Sequence, residues 1–166
     1  MTSVSVLQEM PLFAGLDEGQ LARLLGVMRQ SRVPVGTDIL REGEQSDSMY
    51  VLARGAVEIT KRLGIALAPE SDRWRRKTIV RLSAPQFFGE MALLGDRERT
   101  ATVSTCTDCD LLEVTKDSFD RLVETDLSMG YRLLYNVATV LCERLRRTDR
   151  DVLKLTAALS VALGNR

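Results

Sequence analysis

The residues best equipped for chemistry gather in "FFGEMALLGDRERTATV", residues 87–103. Glu90 follows Gly89, and Arg99 leads into the small residues Thr100, Ala101 and Thr102. A one-turn helix starting after Gly89-Glu90 is expected to offer free backbone N–H groups at an end that favours negative charge. Gly89 and Ala92 are small enough for close backbone approach. Arg99 carries a planar fork suited to bidentate phosphate binding, and the Thr100 hydroxyl and Ala101 amide extend it. Glu90 would repel a phosphate, but it suits a sugar hydroxyl beside one. The set asks for a nucleotide with a compact phosphate next to a ribose hydroxyl. The plainer reading pairs Glu90 with Arg99 across a solvated loop, worth about 0–1 kcal/mol at a surface. It leaves the small residues unexplained.

Other chemistry is thin. The chain contains no histidine, which removes Ser-His and Cys-His catalysis and most transition-metal sites. No catalytic, metal or cofactor site is expected, and the protein reads as a non-enzyme. Cys106, Cys109 and Cys142 are three cysteines in 166 residues. So few, and odd in number, they argue for a reducing cytoplasm and against a disulfide framework. Cys106 and Cys109 form a Cys-x-x-Cys without further ligands at a strand end, and read as packing.

Elements must position the cassette. At 45% apolar and 28% charged, the chain can bury a real core. Its formal net charge of zero draws it to neither nucleic acid nor anionic lipid. No apolar run reaches the length of a membrane span, and no signal peptide opens the chain. Asp17 with Gln20 forms a capping box ahead of Leu21, Leu24, Leu25 and Met28, predicting a helix over about 17–29. Short β-branched segments follow at 38–41, 49–52, 56–60, 78–82, 101–105 and 111–115, punctuated by Gly36, Gly43, Gly55 and Pro85. They predict an α+β, mainly β fold, an antiparallel jelly-roll β-sandwich flanked by an N-terminal helix and C-terminal helices. Residues 63–77, with the basic "ESDRWRRK", read as a long solvated hairpin loop.

Thr115 caps a short helix over 116–123. From Ser128 onward a long amphipathic helix is expected, its stripe running Leu134, Val137, Leu141, Leu145, Thr148, Val152, Leu155, Leu159 and Ala162. The two steps of four around Leu141 make an imperfect heptad seam, and the last turns can form a separate helix. Its distal half favours self-association, predicting a homodimer through this helix. Residues 1–127 (helical lead-in, β-roll, hinge helix) and 128–166 (lid and dimerisation helix) form one domain.

"FGEMALLGDRERTATV", Phe88 to Val103, resembles the phosphate-binding cassette of cyclic nucleotide-binding domains: Phe-Gly-Glu-apolar-Ala-Leu, a short loop, then Arg-Ser/Thr-Ala-Thr/Ser-Val. "GTDILREGEQSDSMYVLARGAVEI", Gly36 to Ile59, is similar to that family's first strands, and "MPLFAGLDEGQLARLL" to its N-terminal helical segment. The resemblance reaches to about residue 155. It implies that Glu90 accepts the ribose 2′-hydroxyl and that Arg99 pairs with a phosphate oxygen. Gly89, Met91, Ala92 and Ala101 would give backbone contacts, and Thr100 its hydroxyl. Val80 and Leu82 would face the purine, and the C-terminal helix would close over the base with Arg144, Arg147 or Thr148. The sequence departs at Pro85 and Gln86, where a Gly and an acidic residue are usual, and at Ser46-Asp47, usually Gly-Asp. No charged ligand residue is lost.

The resemblance implies a sensor for cyclic AMP, with cyclic GMP admitted. A threonine beside the arginine accompanies better cyclic GMP acceptance in channel members of the family. Only about a dozen residues follow the expected helix, too few for a DNA-reading domain. Output is therefore expected as a change in helix position or oligomerisation, read by an unidentified downstream protein. The alternative is a structural dimerisation module with an unused pocket.

Overall fold

The computed structural model describes residues 4–64, 74–95 and 97–164. The chain opens with helix α1 (Val4–Gln8), a 3-10 turn at Pro11–Phe13 and helix α2 (Glu18–Val27). The expected capping box starts α2, since the Asp17 side chain accepts from the Gln20 amide and Gln20 returns the contact. Eight strands follow: β1 (Arg29–Val33), β2 (Asp38–Leu40), β3 (Ser48–Arg54), β4 (Ala56–Gly64), β5 (Trp74–Ser83), β6 (Gln86–Phe88), β7 (Thr102–Thr105) and β8 (Cys109–Thr115). The one-turn helix α3 (Met91–Leu94) lies between β6 and β7, and helices α4 (Lys116–Thr125) and α5 (Leu127–Ala162) close the chain.

Two antiparallel four-stranded sheets, ordered β1-β8-β3-β6 and β2-β7-β4-β5, make the expected sandwich. Strand alternation divides the core. On β6, Phe87 joins the cluster in which Leu7, Leu21, Leu24, Phe119 and Leu133 of the helices cover one sheet. Phe88 joins Leu40, Leu52, Val57, Val103 and Leu111 in a second cluster. Adjacent phenylalanines thus serve opposite faces, which ties the strand before the cassette to both layers.

Three findings revise the sequence reading. The basic segment is not all loop: Trp74–Lys77 belong to β5, whose backbone pairs with β4 from Gly64↔Trp74 to Ala56↔Ser83. The remainder of the expected loop, residues 65–73, lies outside the described residues. β1, "RQSRV", lacks apolar alternation, and its strand character comes from β8, reached by backbone pairing and by the Arg29–Glu113 and Arg32–Asp110 ion pairs. Finally, α5 is one continuous helix of 36 residues, with no separate terminal helix. Its buried residues, Met129, Gly130, Leu133, Asn136 and Val137, all lie in its first third. Asn136 anchors that part by donating to the carbonyls of Leu12 and Ala14 at 2.9 and 3.0 Å.

Candidate functional site

The cassette wraps a cleft between β2, α3, β4, β7 and α5. Its walls include Leu40, Ile59, Phe88 and Val103 on the apolar side, and Glu90, Glu98, Arg99, Thr100 and Arg144 on the polar side. The cleft encloses about 180 Å³, below the roughly 300–1,000 Å³ usual for small-molecule sites, and it is open at its mouth.

Gly89 starts the cassette at φ +79°, and a Cβ there would come within 3.0 Å of the Arg99 guanidinium and 3.3 Å of the Ser48 carbonyl. The position therefore requires glycine, both for its left-handed backbone and for the arginine lying against it. Arg99 is only 4% exposed. It donates to the carbonyls of Gly89 and Ser48 at 3.2 and 2.6 Å and to the Ser46 hydroxyl at 2.7 Å. Its Nε finds no acceptor among the described residues. Burial lowers its pKa, partly opposed by Tyr50, Asp47, Glu113 and Glu90. The backbone around it is pinned to the β2–β3 loop, with Gly43 N–H donating to the Arg99 carbonyl and Arg99 N–H to Glu44.

Glu90, 6% exposed, does not pair with Arg99. Its Oε1 accepts from Arg144 on α5 at 3.1 Å. Arg144 also donates to the Phe87 carbonyl at 2.8 Å and lies 4.6 Å above the Phe87 ring. Among the described residues Arg99 has no carboxylate partner, so the surface ion pair of the plainer sequence reading does not form. A buried guanidinium held by neutral carbonyls and a hydroxyl leaves a net positive charge at the cleft, which an anion can meet. The α3 amides contribute less than expected, because those of Ala92 and Leu93 already donate to the carbonyls of Gly89 and Glu90.

A family model described as cyclic nucleotide-binding domain matches residues 30–126, more than half the chain. The chain belongs to the cyclic nucleotide-binding domain family. It is 34% identical over 124 residues to the cGMP-dependent protein kinase isozyme 1 of Drosophila melanogaster, a match covering 73% of this chain and 15% of the kinase. The catabolite activator protein of Thermus thermophilus has a similar structure, with TM-score 0.73 and 26% identity over 89% of this chain and 63% of that one. The regulatory domain of Toxoplasma gondii PKA, solved with cAMP, gives TM-score 0.61 and 27% identity over 72% of this chain and 42% of that one. The chain thus spans only part of each relative's length.

Within this cyclic nucleotide-binding domain, Gly89, Glu90, Met91, Ala92, Arg99, Thr100 and Ala101 all line the one cleft. The exposed Thr100 hydroxyl faces the Met91 sulfur at 4.0 Å. Val80 and Leu82 sit on β5, outside that lining. Leu82 packs on the second core cluster, and Ile59 of β4, paired with Val80, takes the place facing the cleft. On α5 only Arg144 reaches it. Arg147 is exposed, and Thr148 uses its hydroxyl on the Arg144 carbonyl at 3.1 Å. Sequence reasoning missed Ser46, Ser48, Ile59 and the pairing of Arg144 with Glu90. These contacts cross more than 50 residues of chain or lie between strands, where spacing carries no signal. Cys109 is buried and donates from Sγ to the Ala56 and Thr107 carbonyls, in keeping with a packing role.

Proposed function

We propose that this chain is a cyclic nucleotide sensor, with cyclic AMP preferred and cyclic GMP admitted. The observation that carries the reading is Arg99, a buried cation without a carboxylate, held open beside Gly89. The ligand phosphate takes Arg99 with Thr100 and the Ala101 backbone. Its ribose hydroxyl takes Glu90, and α5 moves against the base. Residues 128–166 act as lid and self-association helix of the domain begun by residues 1–127, and the output is a change in helix position or pairing delivered to a downstream protein. The names of a cGMP-dependent kinase and of a regulatory domain solved with cAMP support the ligand class and leave the base open. Three free thiols suit a reducing compartment, which supports the cytoplasm. Among the described residues no helix is long and apolar enough to cross a membrane.

Catalysis is not part of this reading, since the matched family model describes a binding domain. The exposed apolar face of distal α5, with Leu155 70% exposed, also suits the alternative of a dimerisation module whose pocket is unused. Thermal unfolding with and without each nucleotide separates the two. Ligand at about a hundred times Kd should add about 2.7 kcal/mol of stability. No shift with either nucleotide at millimolar concentration would favour the module instead.

A further inference from the structure

The cleft offers less space than a small-molecule site usually does, and the space it lacks lies beside it. A second groove of about 520 Å³ adjoins it, within the usual range of such sites. The two cavities share Met91, Glu98, Arg99 and Thr100 in their walls. Gly89, Glu90, Ala92 and Ala101 line the inner one alone. A sugar and phosphate held by those residues therefore leave the base to extend past Thr100 into the outer groove. There Leu94 of α3 and Leu141 of α5 give apolar surface, and Lys61, Glu42 and Glu98 add charge.

Lys61 stands two residues beyond Ile59 on β4. Strand alternation places both on one face, Ile59 in the wall of the cleft and Lys61 in that of the groove. Lys77 of β5 is paired directly across from Lys61, and like charges so placed disfavour each other. Both lysines are exposed, and neither has an ion pair among the described residues. Arg99 already donates to carbonyls and a hydroxyl, and Glu42 accepts from the Arg62 backbone N–H at 2.8 Å. Lys61 is thus the uncommitted cation in the groove wall. Purines differ at carbon 6, where adenine carries an amino donor and guanine a carbonyl acceptor, while N7 accepts in both. An ammonium has only donors, so it suits the carbonyl and not the amino group. We propose that Lys61 reads the base at carbon 6, donating to the carbonyl of a 6-oxopurine, and is the residue through which this chain admits cyclic GMP beside cyclic AMP. This rests on the reading of the cleft as the sugar and phosphate site of a cyclic nucleotide.

Calorimetric titration of the full chain with cyclic AMP, cyclic GMP and cyclic IMP tests it. Cyclic IMP keeps the carbonyl of guanine but lacks its 2-amino group, which separates a contact at Lys61 from one between that amino group and the Thr100 hydroxyl. Lys61→Met should weaken both 6-oxo nucleotides about five- to thirtyfold relative to cyclic AMP, as expected for an exposed hydrogen bond from a charged donor. Lys61→Arg should keep the ratio near that of wild type, and Lys77→Met, outside the groove wall, should not move it. An equal loss for all three nucleotides would reduce Lys61 to a general attraction for phosphate or N7 and overturns the proposal. So does a loss confined to cyclic GMP, an unchanged ratio, an equal change in Lys77→Met, or a wild type that binds cyclic AMP and neither 6-oxo nucleotide. A wild-type chain that bound none of the three would overturn the reading of the cleft itself, and the proposal with it.

Discussion

Arg99 and Glu90 are the residues on which binding should turn, and they differ in what their loss leaves behind. Arg99 is surrounded by carbonyls and a hydroxyl rather than by a carboxylate, and among the described residues no other cation is buried to serve a bound phosphate. Arg99→Leu is expected to weaken cyclic nucleotide binding by roughly 2–5 kcal/mol, the cost of a desolvated charge left unpaired. Glu90→Ala should cost about 1–3 kcal/mol, the range for a hydrogen bond to a charged group plus its desolvation. Calorimetric titration checks both, and equal affinity in wild type and Arg99→Leu would exclude Arg99 as the phosphate residue.

At the scale of elements, the junction of α4 and α5 sets where the long helix points. Gly130 lies against Val123, and a Cβ built there would meet Val123 Cγ1 at 2.5 Å. Helix propensity alone would make Gly130→Ala favourable by up to about 1 kcal/mol. The contact is with a stiff β-branched side chain, so overpacking should prevail at roughly 1–3 kcal/mol of destabilisation. Denaturant unfolding measures the difference, and adding Val123→Ala should recover part of it. A stabilised Gly130→Ala protein would show that the helices separate freely. Asn136 holds the same helix from its other side through the Leu12 and Ala14 carbonyls. Ligand-driven movement of α5 is therefore expected beyond Leu141, where packing on the core ends.

For the whole molecule, pH and concentration are the informative variables. Asp110 lies between Arg54 and Arg32, whose hydrogen bonds hold its carboxyl below the ordinary value. Asp126 is lowered by the Met129 amide and Gln20. Burial pushes Glu113 up, but hydrogen bonds from Arg29, Tyr50 and Ser48 outweigh it and leave it lowered. Groups depressed in the folded state contribute stability that is complete above the unfolded carboxylate value of about 4. That stability is lost as the pH falls through the folded values. Tyr50 has the opposite sense: burial and its bond to Glu113 raise it to about 12. Its contribution should be complete below about pH 10 and lost as pH rises toward 12. Urea midpoints across the pH range should therefore fall at both extremes, and a midpoint unchanged down to pH 3 would contradict the acid side. Self-association should depend on the exposed stripe, so Leu155→Asp is expected to shift sedimentation to the monomer while leaving the melting of the β core in place.

The sequence by itself determined the cassette, the capping box at Asp17, most of the strands and the existence of a long amphipathic helix. Each is a local pattern: a run of consecutive residues, a spacing of three, an alternation of two or a step of three and four. Only the tertiary structure decided which partner Glu90 takes, what surrounds Arg99, and that Ile59 rather than Val80 or Leu82 faces the cleft. It also made a strand of the polar segment Arg29–Val33, through pairing with β8, and assigned Val137 to the core and Ala138 to the outer face of α5. Those outcomes depend on contacts between residues far apart in the chain. A side chain's neighbours there are chosen by which layers pack together, and no spacing along one strand or helix encodes that choice.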